Sequence, residues 1–161
     1  MVATPNGYIA RANGKSVSTP YDWKDFAESV GRYNNFVVGR TTFEMVGEHG
    51  FDGSECEYKL VVSSQPGIKI GSGFTIVDSP QAAIDFLKDK VDALFLVGGS
   101  KLNTAFVQAR LVDEIRLIVQ PFMIGKGISL FAPDEFELPL TYKSAEELEG
   151  GRLRITYRIQ R

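Results

Sequence analysis

The sequence predicts an α/β fold in a single domain, residues 1–161, on three observations. Four short apolar segments each run into turn chemistry and then into a 3.6-period stretch or another strand. The segments are apolar almost throughout, as the strands of a parallel sheet covered on both faces must be. From Asp113 the pattern changes to alternation, which antiparallel strands with one wet face produce. A chain of 161 residues, 43% of them hydrophobic, is long enough to build one core without disulfide or metal staples.

The elements follow in order. Met1, Val2 and Ala3 make a short first strand ahead of a turn at Pro5, Asn6 and Gly7. Phe36 to Val38 form an apolar strand ending at Gly39, with a helix from near Thr41, and Leu60 to Val62 form another, ending at Ser63, Ser64 and Gln65. Phe74 to Val77 leads into Asp78, Ser79 and Pro80, where Ser suits an N-cap and Pro the first helical position. That helix places Ala83, Phe86 and Leu87 on one face. Ala93 to Val97 is a fourth buried strand, closed by Gly98, Gly99 and Ser100, after which Leu102, Ala105, Phe106 and Ala109 recur at helical spacing. In the tail, Leu153, Ile155, Tyr157 and Ile159 alternate with Arg154, Thr156, Arg158 and Gln160. The expected whole is one mixed, mostly parallel central sheet with helices on both faces and antiparallel C-terminal strands. In such sheets ligands sit beyond the carboxyl ends of the strands, where the turns after Val38, Val62 and Val97 lie.

Composition excludes several functions. Eighteen Lys and Arg against twenty Asp and Glu leave a net charge of −2, which provides no field for nucleic acid or anionic membrane. No apolar run reaches the ~18 to 20 residues of a membrane span, and Met1 to Ala10 lacks the make-up of a signal peptide, so the expected compartment is the cytoplasm. The single histidine, His49, and the single cysteine, Cys56, offer no metal-ligand spacing and read as loop residues.

Two phosphate-loop signatures are nearly present and fail. Gly14, Lys15 and Ser16 end like a P-loop, but Ile9 stands where the motif needs glycine. Gly125, Lys126 and Gly127 begin like a dinucleotide fingerprint, but Leu130 and the lack of a following helix break it. What remains is a pair of strand-to-helix turns, Gly39-Arg40-Thr41-Thr42 and Gly98-Gly99-Ser100-Lys101. A helix N-terminus presents unpaired N–H groups and partial positive charge, and glycine allows close approach, so two such turns in one sheet suit a diphosphate. Arg40 adds a planar donor for a phosphate monoester, with Ser63 and Ser64 close by at the next strand end. The same glycines are equally what short βα connections need for backbone geometry.

The run Val38 to Glu44, followed by Leu60-Val61-Val62-Ser63-Ser64-Gln65-Pro66, resembles the two cofactor-binding segments of dihydrofolate reductases. The run Leu96 to Leu102, then Leu111 to Ile115 and Gln120-Pro121-Phe122-Met123-Ile124-Gly125-Lys126-Gly127, ending Leu130-Phe131, is similar to the C-terminal reductase domain of the bifunctional riboflavin-biosynthesis deaminase-reductase, RibD. These families share one fold, and the similarity runs from about Asn6 to the last strand. It implies an NADPH-dependent reductase. Gly39, Arg40, Thr41 and Thr42 would take the 2′-phosphate and diphosphate, Ser63, Ser64 and Gln65 the adenosine end, and Gly98, Gly99, Ser100 and Lys101 the diphosphate. Ile9, Ala10 and Val97 would wall the nicotinamide, with Leu102 beside the glycine turn. Arg40 and the hydroxyls agree with a 2′-phosphate rather than a bare ribose, so NADPH is expected over NADH.

On the substrate side the chain reads Thr4-Pro5-Asn6-Gly7 where relatives usually carry an aspartate, so an amide replaces a carboxylate. The carboxyl that a dihydrofolate reductase keeps on its first helix falls at Asp22, with Asp25 near, while Val119 stands where those enzymes usually have threonine. Asp22 and Asn6 are therefore the candidates for substrate contact, and either Asp22 or water is the proton donor. Trp23 is expected in the core. The expected activity is hydride transfer from NADPH to a ribosylaminopyrimidine phosphate or pteridine-like substrate, with no metal. Dihydrofolate reduction and NADPH binding without turnover are the alternatives. A homodimer is expected, one arrangement being C-terminal strands paired across a two-fold axis.

Overall fold

The computed structural model of the chain describes residues 1–160. Strand β1 (Val2–Ala3) and β2 (Tyr8–Arg11) lead to helix α1 (Pro20–Tyr33). Thr19 caps α1, Pro20 occupies its first turn, and Asn34, in left-handed backbone at φ +55°, ends it. The β3 (Asn35–Gly39), α2 (Arg40–Val46) unit follows, then a 3-10 turn, β4 (Tyr58–Val62), β5 (Phe74–Val77) and α3 (Pro80–Leu87). Ser79 caps α3 as its sequence predicts, its Oγ accepting from Ala82 N at 3.2 Å. The second glycine unit is β6 (Leu96–Gly98) with α4 (Ser100–Gln108), and the chain closes with β7 (Glu114–Val119), β8 (Gly127–Ser129), β9 (Leu140–Leu148) and β10 (Arg152–Ile159).

The fold class is α/β, as expected, with a parallel sheet, flanking helices and antiparallel C-terminal strands. Its hydrogen-bond ladders form two four-stranded sheets, β5-β4-β3-β6 and β1-β7-β10-β9, with a β2-β8 ribbon beside them. The first is wholly parallel; in the second only β1 and β7 run parallel. Between the two sheets Met1, just ahead of β1, lies against Gly98 of β6, where an added Cβ would stand 3.0 Å from Met1 Cε.

Strand β6 is shorter than the expected Ala93 to Val97, because the buried Asn35 side chain replaces part of the ladder. Its Nδ2 donates to Ala93 O at 2.8 Å and its Oδ1 accepts from Phe95 N at 2.9 Å. The core lies on both faces of the parallel sheet. Val37, Leu60 and Val62 pack against Leu87, Leu102 and Phe106 of α3 and α4, while Phe36, Val38 and Val61 pack against Val30 and Phe43 of α1 and α2. One expectation is reversed in the second sheet. The alternation of β10 marks its polar side as wet, but Arg152 and Thr156 are buried at 3% and 7% exposure, and Leu153 on the other side is 45% exposed. Helix α1 supplies acidic partners to the polar side, and that is the side it covers. No helix among the described residues is long and apolar enough to cross a membrane.

Candidate active site

Parallel register brings the expected turns together. Gly39 pairs with Val62 across β3 and β4, and Val38 with Gly98 across β3 and β6, so the carboxyl ends of all three strands fall on one line. The α2 and α4 turns are in contact there. A Cβ on Gly39 would stand 3.3 Å from Leu102 Cβ, and one on Gly99 would stand 2.7 Å from Thr42 Oγ1. Glycine at both positions lets the turns close on each other and holds the Thr42 hydroxyl beside the Gly99 backbone. The Gly98–Gly99 peptide is cis.

The turns open on a cavity that reaches from them to α1. Its lining includes Gly39, Arg40, Thr41 and Thr42 at one end, Ser63, Ser64 and Gln65 beside them, and Val97, Gly99, Ser100, Lys101 and Leu102 opposite. Ile9 and Ala10 from β2 form a further wall. Gly98 is buried behind this surface. The lining at this end is rich in hydroxyls, amides and cations, which is the donor chemistry that phosphates select.

Arg40 is held loosely. Its Nε donates to Glu44 Oε1 at 2.8 Å, one helical turn on, in a pair open to solvent, and its Nη1 reaches Pro66 O at 3.5 Å. Ser63 is committed locally, its Oγ donating to Gln65 O at 2.9 Å and accepting from Gln65 N at 3.3 Å, which shapes the turn that presents Ser64.

The α1 end of the cavity has different chemistry. Asp22, 3% exposed, has both carboxylate oxygens engaged. Oδ2 accepts from Thr19 N and Thr19 Oγ1, both at 2.7 Å, and from Gln120 Nε2 at 2.8 Å, while Oδ1 accepts from Arg152 Nη1 at 2.6 Å. The same Nη1 donates to Asp25 Oδ2 at 2.8 Å, and Arg152 Nε donates to Glu149 O at 2.8 Å. Burial alone pushes the Asp22 carboxyl up, but the Thr19 N–H and hydroxyl and the Arg152 guanidinium outweigh it and hold it below the usual carboxylate range. Asp22 is therefore an ionised hydrogen-bond acceptor, not a stored proton.

Sequence reasoning missed Gln120 and Arg152. Val119, the position at which the resemblance to dihydrofolate reductases implies a threonine, is one residue short of Gln120, the side chain that meets Asp22. Arg152 lies 130 positions from Asp22 in the chain, and no local signal links them. Alternation in β10 was the available clue, since a buried arginine on a covered sheet face calls for an acid opposite. Asn6 is not brought into the cavity. Its Nδ2 donates to Ile124 O at 2.7 Å and its Oδ1 accepts from Thr4 Oγ1 at 2.8 Å, so it ties the first turn to the segment before β8. Trp23 departs from the expected core position, because it sits on the cavity side of α1, 44% exposed, with its ring edge-on to Phe26 at 5.8 Å.

Comparison with known proteins bears on this geometry. The RibD C-terminal domain family matches residues 1–153. The chain belongs to that family. Among curated proteins the family member is similar to Uncharacterized protein YyaP of Bacillus subtilis, 24% identical over 98% of this chain and 91% of that protein. Among solved structures this RibD C-terminal domain superposes on a putative riboflavin biosynthesis protein from Shewanella sp. PV-4 with a TM-score of 0.79, 24% identity and coverage of 100% and 97%. RibD of Acinetobacter baumannii gives 0.80 at 14% identity, covering 99% of this chain and 56% of that longer one. Dihydrofolate reductase from Enterococcus faecalis, solved with NADP(H), gives 0.75 at 18% identity, covering 99% and 94%. At these identities the likenesses establish the fold.

Proposed function

We propose that the protein is an NADPH-dependent reductase acting on a carbon–nitrogen double bond of a ribosylaminopyrimidine phosphate. The observation that supports this most directly is the single cavity lined by both glycine turns, Arg40, the Ser63 to Gln65 loop and the α1 end. The donor set fits the cofactor, since hydroxyls, backbone N–H groups at the α4 start, Arg40 and Lys101 surround a groove that glycines keep narrow. Arg40, Thr41, Ser64 and Gln65 would hold the 2′-phosphate and adenosine end. Thr42, Gly99, Ser100 and Lys101 would hold the diphosphate, and Ile9, Ala10, Val97 and Leu102 would exclude water around the ring. Bound NADPH supplies the hydride.

On the substrate side this reading reassigns two residues. Asp22, ionised and bonded through both oxygens, anchors α1 and orients the cavity wall; the proton that follows the hydride comes from water. Asn6 shapes the turn after β1. The same engagement argues against dihydrofolate as substrate, because a pterin gripped by both carboxylate oxygens would have to displace Thr19 and Gln120 from Oδ2. Trp23 and the Ser16, Ser18 and Ser29 hydroxyls line the substrate half.

Titration of Trp23 fluorescence with NADPH and NADH tests the cofactor half. Tight NADPH binding, weak NADH binding and loss of that preference in Arg40→Ala are expected. Equal affinity for both cofactors, unaltered in the variant, would refute the assignment of Arg40. NADPH oxidation driven by ribosylaminopyrimidine phosphate and not by dihydrofolate separates the proposal from both alternatives. Binding without turnover on either substrate would leave a cofactor-binding protein.

A further inference from the structure

A second polar pocket lies at the other end of α1 from Asp22. Its floor is the α1-covered side of the C-terminal sheet, where register sets Arg116 of β7, Thr156 of β10 and Ser144 of β9 side by side. Arg32, in the last turn of α1, lines the same pocket, about 15 Å along the helix from Asp22. Helix α1 runs into the amino end of β3, whereas the first glycine turn follows its carboxyl end, so this pocket is remote from the glycine turns. The Tyr33 ring gathers two of the cations, with the Arg32 and Arg116 guanidiniums each 5.8 Å from its centre. Lys143 and Arg154 complete the lining, Lys143 Nζ donating to Glu114 Oε2 at 2.7 Å and Arg154 Nη1 to Glu146 Oε1 at 2.7 Å. Arg116 Nη2 shares Glu114, donating to Oε1 at 2.9 Å. The Lys143 hydrogen bond, joined by that of Arg116, outweighs burial and holds the Glu114 carboxyl below the usual carboxylate range, so it is ionised.

Four cations therefore face two carboxylates, which leaves two positive charges in a chain whose net charge is −2. Asp25 lies 3.5 Å from Arg154 Nη2 but is held closer, at 2.8 Å, by Arg152. Among the described residues Arg32 has no acidic partner. Like charges gathered in this way repel, so the pocket gains from an anion. Thr156 marks where that anion sits. It is 7% exposed, lines the pocket and makes no hydrogen bond through its hydroxyl to any described residue. A buried hydroxyl without a partner costs free energy that a ligand oxygen on the pocket floor would restore. Guanidinium forks, an ammonium and two hydroxyls are a donor set that phosphate selects, and a phosphate dianion matches the surplus of two charges where a carboxylate matches one. We propose that this pocket binds a phosphate dianion, free or as a phosphomonoester. The site uses none of the residues assigned to NADPH, so it does not depend on the reductase assignment.

A chain of 17.8 kDa suits residue-resolved nuclear magnetic resonance. Inorganic phosphate titrated into the isotope-labelled full chain at low ionic strength is expected to shift the Arg32, Ser144 and Thr156 backbone amides saturably. Arg32→Ala and Thr156→Val should each weaken that binding by about ten-fold, while shifts at residues 39–42 and 98–101 stay as in the wild type. Acetate is expected to bind there about ten-fold more weakly than phosphate. Ribose 5-phosphate separates the two sources, since tighter binding than inorganic phosphate identifies a phosphomonoester and weaker binding identifies the free ion. No saturable shift at the three amides, shifts confined to the glycine turns, acetate binding as tightly as phosphate, or a folded variant that binds like the wild type would overturn the proposal. The wild-type titrations with phosphate and acetate decide the matter even if a variant fails to fold.

Discussion

The two ends of the cavity are built from ionic groups used in opposite ways. At the glycine turns Arg40 pairs with Glu44 in the open, one helical turn away, where solvent screens the attraction and a phosphate can displace the partner. At α1 the Arg152 and Asp22 pair is sealed, and every strong donor around Asp22 is already in use. The contrast shows that a charged residue in a cleft is available for chemistry only if its existing partners are weak. Arg40 meets that condition and Asp22 does not.

The largest expected effect comes from breaking the sealed end. Arg152→Leu leaves Asp22 and Asp25 without their shared cation, and removing one partner of a buried pair costs about 3 to 5 kcal/mol. Chemical denaturation should report a loss of that size, and a loss below about 1 kcal/mol would show that the network is not structural. Acid tests the same end by another route. Because the folded Asp22 carboxyl lies below its unfolded value of ~3.9, its contribution is complete above that value and is lost as pH falls through the depressed folded one. Wild-type stability should therefore drop more steeply than that of Asp22→Asn on titration from pH 5 to pH 2.

At the open end the effects should fall on binding and spare stability. Arg40→Ala is expected to weaken NADPH binding by roughly ten-fold, about 1.4 kcal/mol, with unfolding changed by no more than about 0.5 kcal/mol. Calorimetric titration and thermal melting separate the two. Gly99→Ala forces the Thr42 hydroxyl aside and should lower NADPH affinity several-fold, with Thr42→Ala partly restoring it in the double variant. Glu44→Gln should produce the smallest change, a loss of about 0.3 to 0.5 kcal/mol from the i, i+4 pair and a modest gain in NADPH affinity as Arg40 is released. If Glu44→Gln weakened NADPH binding instead, Glu44 would be positioning Arg40 rather than competing for it.

Much of the glycine-turn end was legible in the sequence because its parts are local. A strand, a glycine turn and a helix start occupy about eight consecutive residues, and parallel register then places every such turn on the same edge. Val38-Gly39-Arg40 and Val97-Gly98-Gly99 could be read one at a time. The α1 end was not legible, because Asp22, Gln120 and Arg152 come from a helix, the residue just past β7 and the start of β10, which only the folded sheet brings within 3 Å.

The same division explains the C-terminal sheet. Alternation by itself determined that Leu153, Ile155 and Tyr157 share one face and Arg152, Arg154 and Thr156 the other, since successive strand side chains must point to opposite sides. Which face would be covered was decided by tertiary structure. Helix α1 carries Asp22 and Asp25, and burying Arg152 without such partners would cost far more than leaving an apolar face exposed. The period of a strand is a property of its backbone, whereas the side it turns to the core depends on what the rest of the chain offers to each face.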